Sequence, residues 1–430
     1  MRRILGSVLL LYTLLVCFGD AFKLHPWLPL PLVLLLGGVV AAGWAALLAP
    51  RIRLERGFFR PFDLLLVAYV LELGVSLLFS GSIDVKNINH LVAYTTVVAL
   101  YYFFVKFLFA AAGTWAHYES RVRTVLVCSV LLVSVYTMLE FIDTNLTPLG
   151  VTALVRSRDE LATYRPLFLV FVRARGLMGE PATLALFLNI FVPMSFVYLR
   201  GRLGTMPALL FLVVAAGAFG ATFSAAGLLF ICVGLLVALG LYVYDRGVVF
   251  VPLRWTIVLG CVAVLVGTVA VRVPGDVWSD IGAKLTLTDP GSGWERVRNW
   301  SAAAPLAAAH PFLGTGIGST SVETGTGVVS LYLTMLKEAG LPSLLLIVAF
   351  LCAVFHEILV LPRRDPYKYA YAASFVAAAC HYAVISDIWY PWLWLLCSFA
   401  IAQRRVYVAA APAALGEVRV AGAPSGAAAS

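Results

Sequence analysis

The chain has 430 residues, 62% of them hydrophobic and only 12% charged, with 31 Lys and Arg against 22 Asp and Glu for a formal net charge of +9. A soluble globular domain carries about 25% charged residues, so this composition, with a mean hydropathy of +0.94, excludes a soluble enzyme and points to a polytopic membrane protein. In such a protein a basic excess more often fixes topology than binds polyanions, and no nucleic-acid partner is expected.

A helix needs about 20 apolar residues to cross the hydrocarbon core. On that criterion twelve spans are predicted, at residues 4–19, 27–49, 62–80, 90–112, 124–141, 182–199, 206–221, 225–244, 255–272, 330–360, 369–386 and 390–402. The first follows Met1-Arg2-Arg3 without a small-x-small cleavage site and reads as a retained helix. Lys and Arg in short loops favour the cytoplasmic side. With the N-terminus inside, that side receives Arg51, Arg53, Arg56 and Arg60, Arg121 and Arg123, Arg200 and Arg202, Arg246 and Arg254, Arg363, Arg364 and Lys368, and Arg404 and Arg405. Both termini then lie in the cytoplasm, and two long segments, 142–180 and 273–328, lie outside. Residues 1–405 form the expected transmembrane unit, and the Ala-, Gly- and Pro-rich stretch 406–430 the expected disordered cytoplasmic tail.

The cysteines fall in apolar spans without a CxxC pair, and His356-Glu357 lacks the second histidine of HExxH. No disulfide framework, catalytic metal or cofactor is expected. Glu72, Lys106, Glu140 and Asp387 read as isolated charges that snorkel or sit near a helix end.

The outer segments should be poor in Lys and Arg. Yet the first holds Arg156, Arg158, Arg165, Arg173 and Arg175, and the second Lys284, Arg296 and Arg298, with Arg272 at its edge. Long loops escape the orientation rule, and Asp143, Asp159, Glu160, Asp276, Asp280, Asp289 and Glu295 supply partners for ordinary solvated pairs. The sharper reading is an anion site, because guanidinium forks match phosphate oxygens and stay charged. At an outer membrane face that anion suggests the pyrophosphate of a lipid-linked donor.

The clearest local signal is Arg173-Ala174-Arg175-Gly176-Leu177-Met178-Gly179-Glu180-Pro181 before the apolar run from Ala182 to Leu199. Pro181 suits a helix start, and the helix N-terminus adds partial positive charge beside the arginines. Glu180 is accounted for by that dipole. Its functional alternative is a carboxylate that orients or deprotonates a hydroxyl, and spacing alone favours the dipole. The second outer segment holds Trp294-Glu295-Arg296-Val297-Arg298-Asn299-Trp300, which reads as an interfacial aromatic belt or as part of the anion site. His310-Pro311-Phe312-Leu313-Gly314-Thr315-Gly316-Ile317-Gly318 follows. Its glycines follow no strand, so a nucleotide-binding loop is rejected.

In their order these elements resemble the bacterial O-antigen ligase and polymerase superfamily, which includes the Wzy-type polysaccharide polymerases. Arg175 to Pro181 resembles its Arg-x-x-Gly-x-x-x-(Glu/Asn)-Pro element, and Thr222-Phe223-Ser224 its Thr-x-Ser turn. Arg296 to Trp300 resembles Arg-x-x-x-Trp, Pro311 to Gly316 resembles Pro-x-x-Gly-x-Gly, and Lys337 to Leu341 resembles the Glu-x-Gly-Leu element that opens the next helix. The fold then expected is all-α and GT-C-like, a membrane bundle of about twelve helices with a long late periplasmic loop.

The resemblance implies a metal-independent, inverting glycosyltransferase of the bacterial inner membrane, working at the periplasmic face on an undecaprenyl-pyrophosphate-linked glycan among membrane lipid. A chain-length regulator and a flippase are the implied protein partners. Arg175 and Arg296 are carried over as catalytic pyrophosphate ligands, with Arg173, Arg298 and Trp300 in support and Glu180 as the first candidate base. Ligases of the superfamily also carry a His-Asn-x-x-Leu element, and alignment on Leu333 puts Val329 and Ser330 there. That absence favours a polymerase of lipid-linked repeat units of O-antigen, capsule or exopolysaccharide over a ligase acting on lipid A core or protein. A transporter is the alternative of another class, although the halves show no sequence symmetry.

Overall fold

The computed structural model describes residues 2–19, 21–25, 28–48, 58–80, 83–111, 114–155, 167–168, 171–247, 292–319, 327–386 and 388–421. The span expected at 255–272 lies outside them, as do Asp387, Arg51, Arg53, Arg56, Arg156, Arg158, Asp159, Glu160, Arg165, Arg254, Arg272, Asp276, Asp280, Lys284 and Asp289.

The other eleven expected spans coincide with helices: α1 (Arg2–Leu15), α2 (Leu30–Leu48), α3 (Asp63–Leu78), α4 and α5 (Val85–Thr96 and Val105–Ala110, joined by a π-helical stretch Val97–Phe104), α6 (Thr114–Asn145), α7 (Pro181–Leu203), α8 (Thr205–Ala221), α9 (Ala225–Arg246), α11 (Leu331–Leu359), α12 (Pro366–His381) and α13 (Trp392–Ala421). Helix α10 (Ser292–Ala309) lies in the second long segment. Two strand pairs, Lys23–His25 with Leu28–Pro29 and Leu167–Phe168 with Phe171–Val172, are the sheet structure of the described residues.

The protein is an all-α membrane protein. Five stretches are long and apolar enough to cross a bilayer, namely Val85–Ala110, His117–Asn145, Pro181–Leu203, Ala225–Arg246 and Leu331–Leu359. Leu209, Leu210, Val213, Leu228, Leu235 and Leu236 of α8 and α9 are exposed, as expected of faces solvated by lipid rather than water. Helix α12 packs on α7 and α9, α11 on α3 and α10, and α6 on α1 and α8. Small residues permit the closest of these approaches: a Cβ on Gly234 of α9 would lie 2.3 Å from the Ala373 carbonyl oxygen of α12.

The helices of the described residues present two ends. Residues 79–80, 83–84, 146–155, 171–180, 222–224, 310–319, 327–330, 382–386 and 388–391 share one end, where Asn87 donates to the Ile317 carbonyl, Ala174 N to Ala221 O, and Leu331 N to Tyr382 O. The opposite end is tied by buried charge. Asp63 accepts from Lys106, from the Tyr102 hydroxyl at 2.5 Å and from Arg60 N at 2.7 Å. Arg123 lies 3.6 Å over the Tyr367 ring and donates to Gln403, which donates to Asp365, the N-cap of α12. Lys368 pairs with Asp245 at 2.6 Å.

Three expectations are corrected here. Lys106 and Glu140 are not isolated: the first pairs with Asp63 of another helix, and the second binds backbone amides described below. Arg123 is a buried residue within α6 rather than a loop charge, because the orientation rule selects a side of the membrane and says nothing of partners arriving from distant helices. Helix α13 continues to Ala421. The alanines there have the highest helix propensity and extend a helix already nucleated by the apolar run from Trp392.

Candidate active site

The arginine loop is built from α6 outward. The side-chain amide of Asn145 at the end of α6 donates to Val172 O at 2.9 Å and accepts from Val172 N at 2.7 Å. Five residues earlier, the buried carboxylate of Glu140 accepts from Arg175 N at 3.1 Å and from Gly176 N at 2.6 Å. Hydrogen bonds to an ionised acceptor are the stronger kind, so Glu140 fixes the backbone from which the Arg175 side chain projects. Gly176 has φ +59°, and a Cβ there would lie 2.5 Å from the Thr137 hydroxyl. Only glycine meets both conditions without strain.

Arg173 reaches in another direction. Its Nε donates to Thr222 O at 2.9 Å, beside the Ala174 N to Ala221 O bond. The Thr222-Phe223-Ser224 turn is closed by its own side chains: the Thr222 hydroxyl donates to Phe219 O and accepts from Ser224 N, while Ser224 Oγ caps α9 by accepting from Gly227 N. Phe223 holds φ +45°, a region that disfavours L side chains, with its ring stacked on Phe171 at 6.1 Å. Two motifs far apart in sequence are thereby one joined structure.

Glu180 is exposed at the N-cap of α7. Its N–H donates to the Thr183 hydroxyl at 3.2 Å, and its carbonyl accepts from Leu184 N at 3.1 Å. Among the described residues it forms no ion pair with Arg173 or Arg175. The helix-start account of Glu180 therefore fits its surroundings.

Helix α10 carries Arg296, half-buried, and Arg298, exposed, with Trp300 half-buried. Asn299 Nδ2 donates to Gly327 O at 3.1 Å and ties α10 to the segment before α11. His381 of α12 is fully buried. The segment where the ligase histidine is lacking packs beside that residue: Leu331 N donates to both Tyr382 O and Ile385 O, and Val329 just before it holds φ +56°.

The last motif is not the start of a helix, as expected, but a break within one. Gly340 sits at φ +79°, ψ −177° inside α11, in a region essentially confined to glycine. The loop 311–318 lies along that break. Thr315 N donates to Lys337 O, Gly316 N to Glu338 O and Leu341 N to Pro311 O, so the carbonyls freed by the break are satisfied by the glycine loop. A Cβ on Gly340 would lie 2.2 Å from Phe312 O. Ser76 of α3 secures both partners by bonding to Leu313 O and Glu338 O. The glycine spacing thus serves backbone pairing, which the sequence reading excluded as a nucleotide site without finding its use.

Sequence reasoning missed a cluster at this break. The buried Glu338 carboxylate accepts from Gly318 N at 2.9 Å. On the other side of Gly318, at 2.9 Å from the position its Cβ would take, is the ring of His90 in α4. His90 meets Trp389 edge to face at 5.7 Å, and Trp389 lies 4.4 Å from Tyr94. These residues come from α4, α11 and the segment before α13, so no local pattern joins them. Among the described residues, no group of three or more His, Cys, Asp and Glu side chains is arranged to hold a metal ion.

A family model described as O-antigen ligase (Wzy_C) matches residues 209–348. The match takes in the Thr222 turn, Arg296, the glycine loop and Glu338, and leaves the Arg173 to Pro181 loop before it. No curated protein matches the chain.

Proposed function

From the premise that the chain belongs to the O-antigen ligase/polymerase superfamily through residues 209–348, we propose that it is a polymerase that extends undecaprenyl-pyrophosphate-linked oligosaccharide repeats at the periplasmic face of the bacterial inner membrane. In this reading, twelve spans with both termini in the cytoplasm put the arginine-bearing end outside. The observation that carries this reading is the convergence on one end of the Arg173–Arg175 loop, the Thr222 turn and α10, with Arg175 held through its backbone by Glu140.

In the proposed reaction, the acceptor hydroxyl oxygen bonds to the anomeric carbon from the face opposite the leaving group, inverting it. The bond to the diphosphate oxygen breaks, and undecaprenyl pyrophosphate departs with the electron pair. Arg175 and Arg296 neutralise the charge growing on that diphosphate, the term that usually dominates such catalysis, with Arg173, Arg298 and Trp300 lining the approach. The acceptor proton passes to a base, for which Glu180 is the candidate from sequence. No metal takes part, and a chain-length regulator and a flippase are the expected partners.

The description of the matching family favours a second reading, a ligase that transfers the finished glycan. Val329 and Ser330 in place of the ligase histidine support polymerisation. Purified protein supplied with lipid-linked oligosaccharide should lengthen it equally with and without EDTA, and Arg175→Ala should lose most of that rate. Transfer to lipid A core without lengthening would establish the ligase. Translocation without either product would establish a transporter.

A further inference from the structure

The cluster at the break in α11 is not used by the reading above and has the composition of a proton-transfer site beside a sugar. His90 is half-exposed, whereas the Glu338 carboxylate next to it is buried. Gly318 separates them, giving its N–H to the carboxylate and leaving, for want of a side chain, the space the imidazole occupies. Lys86 lies one turn earlier on the same helix.

Three elements hold the arrangement rigid. Asn87 shares a capping box with Asp84 at the start of α4 and also donates to Ile317 O. Ser76 joins α3 to the glycine loop and to α11. Tyr94, fully buried, backs the half-exposed Trp389. A histidine poised by a buried carboxylate is the standard means of making an imidazole a base. An indole beside it, partly open on a supported ring, suits the apolar face of a pyranose, since ligand sites combine aromatic walls with a few placed polar groups.

The helix that carries the second arginine pair reaches the same neighbourhood: α10 packs on α11 and is tied by Asn299 to Gly327, and Leu331 at the start of α11 bonds to Tyr382 and Ile385, while Trp389 stands beside His90. A donor held by the arginines and an acceptor sugar on Trp389 would be served by the same end of the bundle.

We propose that His90, set beside Glu338 across Gly318, takes the proton of the acceptor hydroxyl, and that Trp389 is the platform for the acceptor sugar. The proton moves from the hydroxyl to a ring nitrogen of His90 as the oxygen bonds to the anomeric carbon. The electron pair of the broken bond leaves on undecaprenyl pyrophosphate, and the imidazolium returns its proton to solvent. The inference rests on the glycosyl-transfer reading and puts His90 in the place that reading gives to Glu180.

The test uses the full chain in nanodiscs with lipid-linked oligosaccharide as donor and acceptor. His90→Ala and His90→Gln should lower the extension rate about a hundredfold, with the affinity for undecaprenyl pyrophosphate unchanged. Both should abolish the acid limb of the pH–rate profile. Added imidazole should restore part of the rate of His90→Ala, an outcome a merely structural role would not give. Trp389→Ala should raise KM for the acceptor. An intact acid limb in His90→Gln, or no rescue of His90→Ala, overturns the assignment even if the rate falls. Full activity in His90→Ala with an inactive Arg175→Ala overturns it while leaving glycosyl transfer standing. Wild-type protein that extends nothing refutes both.

Discussion

Replacing Glu140 tests whether the arginine loop is positioned from beneath. Its carboxylate accepts two backbone amides, at 3.1 Å from Arg175 and 2.6 Å from Gly176. Bonds to a charged acceptor contribute about 1.5–3 kcal/mol each, so Glu140→Ala forfeits roughly 3–6 kcal/mol of local order. Water reaching the half-buried Arg175 side recovers part of this, leaving a net loss of about 2–4 kcal/mol, or roughly 30- to 700-fold in an equilibrium constant. Glu140→Gln keeps an acceptor oxygen without the charge and should lose about tenfold. The change should appear in the dissociation constant for undecaprenyl pyrophosphate, measured by calorimetry in nanodiscs. The reasoning is refuted if Glu140→Ala binds that lipid as tightly as wild type while Arg175→Ala does not.

Other perturbations have equally definite outcomes. Lys106→Met leaves the buried Asp63 carboxylate without its cation and should cost about 3–5 kcal/mol, read as a drop in melting temperature. The Asp63→Leu, Lys106→Met double variant should recover much of that loss. Gly340→Ala puts a methyl 2.2 Å from Phe312 O at a glycine-only φ/ψ and should destabilise by more than about 4 kcal/mol, seen as loss of monodisperse protein in detergent. Val329→Gly relieves a β-branched residue at φ +56°, a strain of about 1–2 kcal/mol, partly offset by the greater freedom of glycine when unfolded. Melting should rise slightly or stay put, and a fall beyond about 1 kcal/mol would show that the Val329 side chain outweighs its strained backbone.

Helix positions were legible because lipid imposes a simple rule on composition: an uninterrupted apolar run such as Ala225–Arg246 has few alternatives to a helix. The end that gathers the motif loops was legible from alternating runs and loops. Pairings between helices were not. Nothing near Lys106 announces Asp63, and nothing near Glu140 announces the amides of Arg175 and Gly176, because each partner is fixed by packing over dozens of residues. The family resemblance makes Lys337 to Leu341 an element that opens a helix. The chain instead continues the helix on both sides of Gly340, and the loop from Pro311 supplies the hydrogen bonds that make a break tolerable. His90 carries no neighbouring motif at all. It became visible only when α4 was placed against Gly318.

The buried ion pairs have a consequence for motion. Asp63 with Lys106 and Asp245 with Lys368 both lie at the end away from the arginines. Separating either of them in lipid would strand a charge, so helices leaning apart to admit a bulky polyprenyl chain would have to pivot about that end, as the ribs of a fan turn on their rivet. Spin labels at the two ends of α3 and α12 should then report wide, ligand-dependent distances between Leu78 and Tyr382. Distances between Phe62 and Tyr367 should stay narrow and constant, and equal broadening at both ends would show that the bundle has no such pivot.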